Sequence, residues 1–104
     1  MAIPEKIHGE FILIKAAVES GSIRKMSELE KQKPTRIAKL IGMNQGRYGA
    51  KLFKPGDFTP SEIIRMSLVI NVDAGYIINV IKNELLETEL RRVSDNIKKL
   101  NIQK

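Results

Sequence analysis

The sequence predicts an all-α fold of about five to six helices in one domain, ending in an extended C-terminal helix. Three observations predict it. Apolar residues recur at spacings of three and four rather than two, the period of a helix face. Proline, glycine and short polar residues stand where helices would start and stop. From Ile81 to Leu100 no helix breaker occurs.

The elements follow in order. Phe11, Ile12, Leu13, Ile14, Ala17 and Val18 place an apolar face on a helix from about Glu10 to Ser20, and Gly21 supplies a left-handed stop. Ile12 and Ile14 fall on different sides, so this helix is expected to be buried widely. Ser27-Glu28-Leu29-Glu30 has the spacing of a capping box and predicts a short second helix that ends before Pro34. The third helix, about 34–42, starts on Pro34, where a missing amide costs nothing in a first turn. Ile37, Ala38, Leu40 and Ile41 form its apolar face, with Arg36 and Lys39 toward solvent. Gly42 ends it, and Asn44 is a good cap for a fourth helix, about 44–53, only two residues on.

Tyr48 and Leu52 lie four apart and share one face of that fourth helix. Asn44, Gln45, Arg47, Lys51 and Lys54 are left pointing outward. Two helices joined by so short a turn project the polar face of the second into open space. Lys54-Pro55-Gly56-Asp57 is a turn by composition. Thr59-Pro60-Ser61-Glu62 then gives a threonine cap, a first-turn proline and a glutamate at the capping-box position. Ile63, Met66, Ser67 and Ile70 line the next helix, and Asp73 caps a last one through Ile77, Ile78 and Ile81. Met43 and Met66 read as core fillers.

Charge placement narrows the function. The formal net charge is +6, yet residues 24–54 hold nine cations (Arg24, Lys25, Lys31, Lys33, Arg36, Lys39, Arg47, Lys51 and Lys54) against only Glu28 and Glu30. An excess confined to one segment suggests a polyanionic partner. There is no cysteine, so thiol chemistry, disulfides and cysteine-based zinc sites are excluded, and His8 alone cannot build an imidazole cluster. Glu28/Glu30 and Glu87/Glu89 are carboxylate pairs, but residues two apart diverge on a helix. No enzyme activity, cofactor or metal is therefore expected. No apolar run reaches the length of a membrane span or a signal peptide, so a soluble cytoplasmic protein is expected, with no membrane partner.

Ala38, Gly42, Tyr48 and Leu52 stand close to the small, turn and core positions of a known motif. In them the chain resembles the lambda-repressor/Cro-like (Xre-type) helix-turn-helix family. The stretch from Ile37 to Asp73 is most similar to small Bacteroidetes-type proteins of that superfamily, with their Lys/Pro turn, Phe58-Thr59 helix start and Val72-Asp73 start of the last helix. The resemblance covers roughly residues 22–82. It implies a lambda-repressor-like fold and a transcriptional regulator that binds double-stranded DNA. The helix from Asn44 to Phe53 would lie in the major groove. Gln45 would pair with adenine, and Arg47 would read guanine or hold a phosphate. Thr35, with Arg36 beside it, would meet a phosphate at a helix start. Lys39, Lys51 and Lys54 would add sequence-independent affinity. Gly46 and Gly49 fall inside the recognition helix, each costing up to about 1 kcal/mol relative to alanine. They either allow close backbone approach to DNA, leave a helix that orders only on binding, or mark a scaffold that has lost its reader function. Lys51 stands where many relatives carry an apolar residue.

The helix-turn-helix domain is expected over residues 1–82 and a C-terminal helical segment over 83–104. In the latter, Leu86, Leu90, Val93, Ile97 and Leu100 alternate four and three apart, a coiled-coil seam of about two heptads. The seam either folds back on its own domain or forms a homodimer contact. The main rival function is a helical protein–protein adaptor that keeps the fold without specific DNA binding. An RNA-binding module ranks lower, because few aromatic residues are available to stack bases.

Overall fold

Pro4 opens the chain's first helix, and Phe11 interrupts it about two turns later. In the computed structural model, which describes residues 2–101, α1 (Glu5–Glu10) gives way at Phe11 to α2 (Ile12–Ser20). The sequence reading expects a single helix from about Glu10, so α1 is an addition. Phe11, Ile14 and Val18 point inward at helical spacing, whereas Ile12 and Leu13 are 62% and 82% exposed. The wide burial expected of this helix is therefore corrected: only one stripe of α2 is covered. Gly21, at φ 82°, closes α2, and the next amide returns to the Ala17 carbonyl.

The expected capping box at Ser27 does not form. Met26–Leu29 is a single 3-10 turn without a side-chain cap, and the Glu28 carboxylate instead accepts the Arg24 amide at 3.1 Å. A four-residue turn offers no α-helical amides for the serine to cap. Its role is packing, since Met26 and Leu29 are buried and the Met26 amide donates to Glu84 at 3.0 Å.

The remaining elements are α3 (Pro34–Leu40), α4 (Gln45–Phe53), a 3-10 turn (Pro55–Asp57), α5 (Pro60–Ile70) and α6 (Ala74–Leu100). The capping box at Thr59 is complete, with Thr59 accepting the Glu62 amide and Glu62 accepting the Thr59 amide. Asn71 ends α5 in the left-handed region, and Asp73 caps α6 through the Gly75 amide. All described residues in regular structure are helical, with no strand. At 27 residues α6 is about 40 Å long. Its first turns pack Ile77 and Ile81 into the core, and the rest runs on, which gives the molecule extents of 56 × 28 × 27 Å. The helix is continuous through residues 82 and 83. No helix among the described residues is long and apolar enough to cross a membrane.

One core gathers buried residues from every helix but α1, whose partly buried Ile7 packs against it. Ile14, Leu29, Ile37, Ile41, Tyr48, Leu52, Met66, Ile70 and Ile77 are all buried, and Met43 and Met66 fill gaps as expected. The Tyr48 ring meets Phe58 edge to face, with centroids 6.4 Å apart. Its hydroxyl is buried and has no hydrogen-bond partner among the described residues, and burial pushes the phenol's pKa up. An unpartnered buried hydroxyl costs stability that an apolar isostere does not. Tyr48→Phe should thus leave the protein unchanged or raise its stability by about 1 kcal/mol, read as a higher melting midpoint. A loss of similar size would show that the hydroxyl has a partner.

Candidate nucleic-acid interface

The turn between α3 and α4 is built from backbone needs that only certain residues meet. Gly42 sits at φ 73°, and the Met43 amide returns to the Ala38 carbonyl at 2.8 Å. Ala38 is buried at the point where the two helices meet. Asn44 then caps α4, its side-chain oxygen accepting the Arg47 amide at 3.2 Å. Asn44 is thus the cap rather than the first helical residue. A Cβ at position 46 would stand 3.0 Å from that oxygen, so Gly46 leaves room for the cap. A Cβ at position 49 would meet nothing within 4 Å. Both glycines lie within an unbroken α4.

α4 buries Tyr48 and Leu52 and leaves Gln45, Gly46, Arg47, Ala50 and Phe53 exposed. Gln45 is held from the neighbouring helix: the Thr35 hydroxyl donates to its side-chain oxygen at 2.7 Å. That contact joins the start of α3 to the start of α4. The Gln45 oxygen keeps a second lone pair, and its amide nitrogen keeps two donors. Lys39, Arg47 and Lys54 are exposed and have no acidic partner among the described residues.

Two other cations are paired with carboxylates, and one of them, Lys51, differs from expectation. Lys51 does not point outward. Its ammonium donates to both oxygens of Glu62, at 2.7 and 2.9 Å, and its side chain is only 15% exposed. The physical reason is that Glu62, already drawn in by the Thr59 cap, needs a cation to offset the loss of water. The Lys51 ammonium, then the Thr59 amide, hold the Glu62 carboxyl below the usual carboxylate range. Arg36 is half-exposed but forked onto Glu10 of α1 at 2.8 and 2.9 Å. This contact lowers the Glu10 pKa and raises that of Arg36. Lys33 also reaches Glu10, donating to its carbonyl at 2.7 Å while lying over the Phe11 ring.

Arg65 was not anticipated. From α5 it donates through Nε to the Ile41 carbonyl at 2.9 Å, capping the end of α3 while its residue stays exposed beside the turn. No local sequence signal links positions 24 apart. Leu86, Leu90, Val93 and Leu100 are exposed, and Ile97 is partly so. Within the described residues the seam is not folded back on the domain.

No family model matches this chain, and comparison with curated proteins and with solved structures likewise finds no match.

Proposed function

We propose that this chain is a sequence-specific DNA-binding transcriptional regulator with a lambda-repressor-like helix-turn-helix, α4 entering the major groove. The observation that carries the reading is the start of α4. There a capped helix presents exposed Gln45 and Arg47, and Thr35 fixes the Gln45 amide from the preceding helix. A pre-oriented amide with free donors and a free lone pair suits the paired acceptor and donor of adenine in the major groove. Arg47, one residue beyond Gly46, reads guanine or grips a phosphate. Lys39 and Lys54 supply electrostatic capture.

Some roles expected from the resemblance change. Thr35 positions Gln45 in preference to meeting a phosphate. Arg36 and Lys51 are already committed to Glu10 and Glu62, so they hold the scaffold and are left out of the contact set. Gly46 keeps the cap intact while bringing the helix start close to the groove.

The test is a titration of the full chain against a mixed-sequence duplex at several salt concentrations. With about three to five phosphates neutralised, the logarithm of affinity should fall with that of salt at a slope of about −3 to −5. Affinity that does not change with salt, or no binding at about 50 mM salt, would move the reading to a protein–protein adaptor.

A further inference from the structure

We propose that the exposed face of α6 pairs with α6 of a second copy of this chain as a short antiparallel coiled coil, centred between residues 91 and 92. The apolar stripe lies away from the body. Ile77 and Ile81 pack inward, whereas Leu90, nine residues beyond Ile81, lies about half a turn round the helix and is 62% exposed. Leu86 and Val93 are 56% and 54% exposed on the same stripe. Exposed Leu86, Leu90 and Val93 with partly exposed Ile97, at heptad spacing on a helix that extends beyond its own core, form a seam that nothing among the described residues covers.

The choice of a second copy, and of its direction, comes from spacing and charge. Leu86, Leu90, Val93 and Ile97 are separated by four, three and four residues, which reads the same in both directions. An antiparallel pair can therefore fill these four layers, with Leu86 against the partner's Ile97 and Leu90 against the partner's Val93, and Leu100 falls beyond them. From Asn83 to Leu90 the helix carries Glu84, Glu87 and Glu89 and no cation. From Arg91 to Asn101 it carries Arg91, Arg92, Lys98 and Lys99 against Asp95 alone. Antiparallel pairing lays the acidic half on the basic half, whereas parallel pairing lays like on like. In this register Lys98 comes within about one turn of the partner's Glu87, and Arg92 of the partner's Glu89. The single-copy pairs Arg91–Glu87 and Arg92–Glu89 are widely exposed and do not compete strongly. The two bodies then lie at opposite ends of the pair. This inference is independent of the DNA reading, and its test uses no DNA.

Sedimentation of the full chain should show a monomer–dimer equilibrium with a Kd on the order of 10–100 µM, as suits so few layers. Leu90→Glu should abolish the dimer while leaving the melting midpoint of the body unchanged, because Leu90 is outside the core. A chain that stays monomeric up to about 1 mM would overturn the proposal. Direction is read separately, because the chain has no cysteine of its own. Mixing Leu86→Cys with Ile97→Cys chains under mild oxidation should give the mixed disulfide, and neither variant alone should crosslink. A Leu86→Cys homodisulfide would establish a parallel pair. A dimer that yields neither crosslink would place the interface elsewhere; either result rejects the antiparallel seam.

Discussion

Replacing Gln45 and Arg47 together with alanine should lower affinity for a selected duplex by about 100-fold or more, with no change in melting midpoint. Each base-edge pair is worth roughly 1–3 kcal/mol of discrimination, and every 1.4 kcal/mol is tenfold. Both side chains are exposed, so their loss leaves the core as it was. The single variants divide the work. Gln45→Ala should relax preference at one base position while keeping the salt slope. Arg47→Ala does the same if it reads guanine, but lowers affinity for all sequences and reduces the slope by about one if it grips a phosphate. The check is a binding titration on matched and mismatched duplexes beside a thermal melt. Unchanged affinity in the double variant would remove α4 from the contact.

The second large effect is on stability. Lys51→Ala should destabilise the fold by about 1–2 kcal/mol, below the roughly 3–5 kcal/mol of a fully buried pair because water reaches this one. For a chain this size that is a melting midpoint lower by about 5–15 °C. The cause is Glu62, whose 9% exposed side chain would keep its charge and lose its cation. The pH dependence follows from the direction of the Glu62 shift. Its folded pKa is below its unfolded value of about 4.3, so its stabilising contribution is full above that value and is lost as pH falls through the folded pKa. Lys51→Ala should therefore flatten the acid limb of the stability curve, and Glu62→Gln should flatten it further. Melts between about pH 3 and 7 decide this. An acid limb as steep as in the parent chain would show that the pair does not couple to folding.

What the sequence made legible was local. Pro34, Gly42, Asn44 and the Thr59–Glu62 box each dictate a dihedral angle or satisfy a nearby amide, so α3, α4, the turn between them and the start of α5 could be placed from residues alone. Tyr48 and Leu52 declared the inward face of α4 by their spacing. What was not legible depends on distance along the chain. Lys51 and Glu62 are eleven apart, Arg36 and Glu10 are 26 apart, and neither pair leaves a periodic trace. Each pair engages a cation that the resemblance assigns to DNA. Ser27 misled for a local reason, since the spacing of a capping box does not guarantee the helix that would use it. Ile12 and Leu13 misled because apolar character does not ensure burial.

The most direct measurement is selection from a pool of random duplex DNA at low and moderate salt, sequencing what the full chain retains. An enriched motif that the Gln45→Ala/Arg47→Ala chain fails to select is the expected result. Salt-sensitive retention with no motif would contradict sequence-specific reading and leave only a basic helical surface, and no retention at either salt would contradict DNA binding altogether.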